Sequence, residues 1–394
     1  MECALHYCLF FATNSELINE NMLPIILKQQ LKEDDSEIAK TTEPFFRMPD
    51  YDPIQHYKHL TFSNYYRALV VLRHYIKAAS DYYFSVLSNA KNIDLFMLTP
   101  SVSSPMGPGS DSAPLPIKFG KFESFLVDSS QFGFEPLLIN GLDKVYCYLP
   151  SIRGENPDAR HLNQFFHCEL EMRGILSDLM PIIEGYIKIL SETVLESENI
   201  LNKISNSPEA TKEFLKKTIE CEKFPQITFD EAVDILVKNG KKNLINFAEH
   251  GRDISSNGEI ELMKIMNLST PLWLKFFDRD RVAFYQKPMP GNKEKTINAD
   301  LLFPPLVSGS FGGEIVGSGQ RQDSPEEMYE SLKRQDNISP DSYKWYIELR
   351  KLPGYNTTCG FGLGIERFIA WALAKPDIKD VSIYPRLKNI KTCP

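Results

Sequence analysis

Three stretches of this chain carry residue types that do chemistry on charged ligands. The first runs Ser151-Ile-Arg-Gly-Glu-Asn-Pro-Asp-Ala-Arg-His-Leu-Asn-Gln-Phe165 and holds Arg153, Glu155, Arg160, His161 and Phe165. A guanidinium grips phosphate with two parallel hydrogen bonds and an aromatic ring offers a face to a base, so the set suits a nucleoside polyphosphate. A surface hairpin laced with ion pairs suits it as well. The second stretch is Gly360-Phe-Gly-Leu-Gly-Ile-Glu-Arg367. No Gly-Lys-Ser/Thr follows, so it is no Walker loop, and Ile365 stands where a dinucleotide fingerprint needs its third glycine. What remains is a backbone that a ligand can approach closely at Gly362 and Gly364, with Arg367 beside it. The third is Asp300 with Gly312-Gly-Glu-Ile-Val-Gly-Ser-Gly-Gln-Arg321, which offers Glu314 and Arg321. Two carboxylates near a polyphosphate suggest magnesium, a hard cation that takes oxygen ligands.

These residues need elements to hold them. From Gln164 to Met172 the chain alternates: Phe166, Cys168, Leu170 and Met172 fall on one face, Phe165, His167, Glu169 and Glu171 on the other. That is a strand with an apolar face and either a site or a solvated surface on its reverse. Lys144–Leu149 predicts its partner strand, and further strands are expected at Ile93–Leu98, Ala283–Gln286, Asp300–Phe303 and Gly313–Val316. A helix is expected after Ser63, a good N-cap, with Leu69, Leu72, Ile76 and Ala79 on one side and its end near Asn89. Residues 178 to about 204 read as a long amphipathic helix, and Thr228 with Glu231 forms a capping box before another. A last helix begins after Gly364 and stops before Pro376. The Ser-, Gly- and Pro-rich run 101–116 is a loop. Together these give an α+β chain: a mostly antiparallel sheet flanked by helices. It divides into an irregular N-terminal extension, 1–61, and a domain, 62–394, with a helical insertion at about 178–265.

The 394 residues carry 44 Lys plus Arg against 52 Asp plus Glu, a net charge of −8, which argues against broad, non-specific nucleic-acid binding. No apolar run approaches the roughly 18 residues of a membrane span, so no membrane partner is expected. The 7 cysteines are scattered without a CxxC pair, the pattern of reduced thiols in a cytoplasmic protein.

In this order, the three stretches resemble the catalytic core of class II aminoacyl-tRNA synthetases, and the asparaginyl side of the aspartyl/asparaginyl branch most. The helix and strand ending at Pro100 resemble motif 1, the dimer-forming element; 151–171 resembles motif 2 and 360–373 motif 3. Asp128-Ser-Ser-Gln131, Phe284-Tyr285, Gly313-Glu-Ile315, Trp345-Tyr346 and Tyr384-Pro-Arg386 match as well. The resemblance implies a class II synthetase fold, a homodimer through motif 1, and ATP and an amino acid as substrates with Mg²⁺. It implies that Arg153 holds the α-phosphate and the attacking carboxylate, Glu155 reads the adenine amino group, and Phe165 stacks on the ring. Arg160 joins this ATP-binding set, His161 and Arg367 take the γ-phosphate, and Gly362 and Gly364 give the ligand room. Asp300 and Glu314 would hold Mg²⁺. Gln131, Glu169, Arg321 and Asp111 would bind the amino acid.

Departures from the family pattern bear on the substrate and acceptor. Where aspartyl enzymes place a lysine, three residues after Gln131, this chain has Phe134, which favours asparagine or a neutral analogue. Gln164 replaces a usual glutamate, the loop 106–113 offers only Asp111 for another, and Leu306–Phe311 is additional. About 60 residues precede motif 1, short of an anticodon-binding barrel. The expectation is therefore an ATP-dependent ligase that forms an aminoacyl-adenylate and passes it to ammonia, an amine or a carrier, as asparagine-synthetase-type paralogues do. Transfer to tRNA is the less favoured alternative, and a non-catalytic ATP- and amino-acid-binding paralogue stands third.

Overall fold

The computed structural model describes residues 22–103, 112–248, 251–335 and 339–393. Its centre is an eight-stranded sheet. In chain order the strands are β1 (Lys91–Asn92), β2 (Lys144–Ile152), β3 (Gln164–Arg173), β4 (Gln226–Thr228), β5 (Leu272–Lys275), β6 (Asn298–Phe303), β7 (Gly313–Gln320) and β8 (Thr358–Gly364). Their spatial order is β1-β2-β3-β8-β7-β6-β5-β4. The five inner pairings are antiparallel and the two edge pairings, β1 with β2 and β4 with β5, are parallel. The α+β reading and its mostly antiparallel sheet therefore hold. The alternation of β3 holds too: Cys168 and Leu170 are buried in the main core, while Phe165 and His167 line a cavity on the other face.

Helices pack against both faces of the sheet, with the largest core on the face of Cys168 and Leu170. The named ones are α1 (Ile25–Ala39), α2 (Asn64–Tyr82), α3 (Gln131–Ile139), α4 (Leu176–Glu196), α5 (Glu198–Ile204), α6 (Pro208–Glu220), α7 (Phe229–Lys238), α8 (Ser256–Ile265) and α9 (Ile365–Ala372). The buried stripe of α2 (Leu69, Leu72, Ile76, Ala79) packs with Ile183, Tyr186, Ile187 and Leu190 of α4 and with Phe361 of β8 in one core.

Several expectations are corrected. The N-terminal segment contains a docked helix, α1, with Leu31 and Ile38 buried. Its buried stripe is interrupted by Asp35, which hides the periodicity. Asp35 accepts hydrogen bonds from Asn199 N at 3.0 Å and Ile200 N at 2.8 Å, at the start of α5. The long helix expected over 178–204 is two, α4 and α5, parted at Ser197. The insertion is not purely helical, since it contributes β4 to the sheet and a hairpin of Ile245–Ala248 with Gly251–Ile254. Ile93–Leu98 is not one strand; only Lys91–Asn92 and Leu98–Thr99 pair. Ala283–Gln286 is a turn with isolated bridges at its two ends, that of Gln286 being to Arg321. Ser63 precedes α2 but its hydroxyl makes no capping bond, whereas the Thr228–Glu231 box forms as expected.

The inserted hairpin is tied to the body by Asp278. Its carboxylate accepts from Arg252 N at 2.8 Å, Arg252 Nε at 2.9 Å and Lys295 Nζ at 2.6 Å. Burial pulls its pKa up, but these donors outweigh it and hold the carboxyl at about 2. A carboxyl depressed by folding contributes stability that is present above its unfolded pKa and lost as pH falls through the folded value. Asp278→Asn is expected to cost about 2 kcal/mol at pH 7. The gap to the parent should close between about pH 4 and 2, as read from urea unfolding at each pH.

Candidate functional site

All eight residues expected at the nucleotide, Arg153, Glu155, Arg160, His161, Phe165, Gly362, Gly364 and Arg367, line one cavity of about 240 Å³, together with Glu314. The β2–β3 connection supplies the first four, and Phe165 stands at the start of β3. Past the end of β2 the ladder continues with Arg153 N donating to Asn163 O at 2.9 Å. The Asn163 side chain then bonds the carbonyls of Arg153 and Glu155 at 2.9 and 2.7 Å, fixing the loop. The Arg153 guanidinium lies over the Phe165 ring, 5.2 Å from its centroid. Glu155 accepts from Ala113 N at 3.1 Å. His161 contacts Asp158 at 2.9 Å. Burial and the nearby Arg367 lower the pKa of His161.

Across the ladder, Gly362 pairs with Glu169 and Gly364 with His167, so no side chain of β8 fills the floor. Glu366, at the start of α9, accepts from Phe166 N at 2.8 Å and from Arg73 of α2 at 2.7 Å. One carboxylate thereby joins the three stretches that resemble motifs 1, 2 and 3.

The two carboxylates expected at a metal converge because β7 is bulged. Leu301 pairs with Val316 but Leu302 pairs with Glu314, leaving Ile315 as the extra residue. The bulge brings Glu314 to the same face as Asp300, and both carboxylates approach the space above Gly317. Arg367 Nη1 donates to Glu314 at 3.0 Å. Burial favours the protonated form of Glu314, yet Arg367 keeps its pKa below the usual range. Burial, and then Glu314 and Glu259, raise the pKa of Asp300 well above that range. Facing hard-oxygen donors of this kind fit one Mg²⁺ shared with substrate phosphates. Among the described residues no cluster of three metal-ligating side chains occurs.

Arg160 is differently engaged than the resemblance implies. Its Nη1 donates to Gly312 O, and its guanidinium stacks on Phe311 at 4.6 Å, within the additional segment Leu306–Phe311. Glu259 of α8, a residue no sequence pattern singles out, accepts from Glu314 N at 3.0 Å. A Cβ on Gly313, where φ is +92°, would stand 2.5 Å from Glu259 and 2.9 Å from Arg160, so only glycine suits this crossing.

At the other end, Glu169 accepts from Ser130 N at 2.7 Å and from the Ser129 hydroxyl. Gln131 is buried with its Nε2 lacking a partner among the described residues. Arg321 reaches this end, but Glu171 takes its Nε and Nη2 at 2.9 and 2.8 Å. Burial raises the pKa of Glu171 even beside that cation. Glu171 was legible only as one member of the polar face of β3. Phe134 packs into a separate apolar cluster with Leu138, Val145 and Cys147. Asp111 lies outside the described residues. Lys351 is exposed and paired with Glu348, and Lys287 pairs with Asp323.

Gly360 is where the backbone must pass Glu171. A Cβ there would lie 1.9 Å from Glu171 Oε2 and 2.6 Å from Leu170 O. Since Leu170 O belongs to the ladder and cannot retreat, Gly360→Ala should destabilise the fold by about 1–3 kcal/mol, measurable by urea unfolding.

A family model described as tRNA synthetases class II (D, K and N) matches residues 95–388. The chain belongs to that family. It is 31% identical over 272 residues to an asparagine–tRNA ligase of Pyrococcus abyssi, covering 68% of this chain and 58% of that protein. An Encephalitozoon cuniculi protein named "probable asparagine--tRNA ligase, cytoplasmic" is 32% identical over 267 residues, covering 67% and 56%. The solved structure of Pyrococcus horikoshii asparaginyl-tRNA synthetase complexed with asparaginyl-adenylate superposes with a TM-score of 0.74 at 26% identity, covering 87% and 75%. This class II chain thus spans less than two thirds of those two curated relatives. Among the described residues no helix is long and apolar enough to cross a membrane, and all five described cysteines are free.

Proposed function

We propose that this class II chain is a cytoplasmic ATP-dependent ligase that activates asparagine as asparaginyl-adenylate and transfers it to tRNA. The observation that carries the reading is the single cavity bringing Arg153, Phe165 and Arg367 together beside Glu314. The substrate carboxylate attacks the α-phosphorus in line and pyrophosphate leaves. The nucleophile is already an anion, so no general base is required. Arg153 neutralises charge developing on the α-phosphoryl oxygens, and His161 and Arg367 hold the outer phosphates. Asp300 and Glu314 would bind Mg²⁺, which supplies charge neutralisation on the triphosphate when bound.

Asparagine is preferred over aspartate because the cation at the amino-acid end, Arg321, is already neutralised by Glu171. A second carboxylate would find no free charge there, whereas a carboxamide can use both partners. Gln131 and Glu169 are suited to the α-amino group. Exposed apolar residues on and after α2, among them Val70, Val86 and Leu87, favour a homodimer through this element.

The acceptor expected from sequence alone was ammonia, an amine or a carrier. The relatives' names favour tRNA, while the net charge of −8 keeps the small acceptor as a second reading. Pyrophosphate exchange across an amino-acid panel, followed by charging of purified tRNA, separates them. Exchange with asparagine and labelled asparaginyl-tRNA are expected. Exchange without charging, but with AMP released on adding ammonia or amines, would move the assignment to the second reading. A protein that binds ATP but exchanges with no amino acid is neither.

A further inference from the structure

His167 sits on the cavity face of β3, two residues after Phe165 and two before Glu169. Residues four apart on a strand are about 13 Å apart. On the reading above, Phe165 takes the adenine and Glu169 the amino group, so His167 lies under the sugar–phosphate middle of the adenylate. Opposite it on β8 is Gly364, which has no side chain to intrude.

The ring is fixed. It meets Phe165 edge-on with centroids 4.6 Å apart. Its Nδ1 stands 3.0 Å from Ser151 Oγ and 3.8 Å from a carboxylate oxygen of Glu169. A carboxylate on that side favours the tautomer with the proton on Nδ1, which leaves the lone pair on Nε2. Burial, then Arg153 and Arg367, hold the imidazole pKa well below its usual range, so the ring is neutral. Nε2 makes no hydrogen bond to the described residues, and the ring borders the cavity.

An acceptor aimed at the middle of the ligand needs a donor. The phosphates of ATP are acceptors at neutral pH, and the adenine amino group is at the far end by Glu155. Only the ribose hydroxyls remain. We propose that His167 reads the sugar: its Nε2 accepts a hydrogen bond from a ribose hydroxyl, making this residue a determinant of ribonucleotide over deoxyribonucleotide. The proposal rests on the ATP reading above and deepens it.

Calorimetric binding of Mg·ATP, 2′-deoxy-ATP and 3′-deoxy-ATP to the whole chain tests it without requiring an amino acid or acceptor. The parent should bind ATP about tenfold more tightly than the analogue lacking the read hydroxyl, the scale of one hydrogen bond. His167→Ala should lose about tenfold for ATP and nothing for that analogue, which erases the preference. His167→Phe keeps the aromatic packing but has no acceptor, and should behave the same way. Equal binding of all three nucleotides by the parent, or a preference that survives in both variants, would overturn the role of His167 alone. No binding of ATP by the parent at millimolar concentration would overturn the ATP reading beneath it.

Discussion

Arg153→Ala is expected to reduce pyrophosphate exchange by about a thousandfold or more, roughly 4 kcal/mol of transition-state stabilisation, with the fold intact. The side chain is held by its surroundings more than it holds them. Its guanidinium rests on Phe165 at 5.2 Å, and its Nε is buried with no partner among the described residues. No ion pair to a protein carboxylate is made by Arg153 among the described residues. A cation without a protein counter-charge at the wall of a polar cavity is arranged for a ligand's charge. Removing it should therefore alter chemistry more than stability. Arg153→Lys keeps the charge without the planar fork and should recover only part of the rate. Exchange with saturating ATP and asparagine, alongside the thermal transition, is the measurement. Near-normal exchange in the alanine variant would refute the role.

Glu135→Leu should cost about 3–5 kcal/mol of stability, because it strands the charge of Arg350 in the interior. The two side chains are 0% exposed and stand 2.6 Å apart. Tyr346 donates to Glu135 at 2.6 Å, and Arg350 also bonds Gln322 O at 3.0 Å and Tyr346 O at 2.9 Å. Thr358, the first residue of β8, also donates to Glu135 at 3.5 Å, so the network pins α3, which carries Gln131, against the start of that strand. Replacing both partners with apolar residues of similar volume removes the stranded charge, so Glu135→Leu with Arg350→Met should be markedly less damaging than Glu135→Leu alone. Urea unfolding of the two single variants and the double variant gives the coupling. If the double variant loses the sum of the two single losses, no coupling exists and the argument fails.

The sheet and the cavity were legible in the sequence because both rest on local pattern. The two-residue period of 164–172 fixes which side chains of β3 face the cavity side of the sheet, and the glycines of 360–364 mark where the partner strand leaves space. What could not be read depends on contacts between distant segments. Helix α1 was hidden because Asp35 stands on its buried stripe, and that aspartate is explained only by the α5 amides it meets. Glu259 has no signal in its own segment, since its partners, Glu314 and Arg160, come from elsewhere in the chain. The convergence of Asp300 and Glu314 depends on one extra residue, Ile315, in a bulge that no spacing rule reveals. Arg160 illustrates the converse: its type and position suggest phosphate, and it does line the cavity, but its contacts with Phe311 of the additional segment and with Gly312 had no local signal.

Glu366 has a mechanical consequence. It bonds the β3 backbone at Phe166 and the side chain of Arg73, so it ties helix α2, the β2–β3 hairpin and α9 together. Hydrogen exchange is expected to show them opening as one unit, with protection that rises and falls together. A substitution on the outer face of α2 that loosens the helix would then be felt as slower turnover in the cavity, and a ligand in the cavity would stiffen that outer face. If two copies meet through α2, the same carboxylate would transmit occupancy from one cavity towards the other.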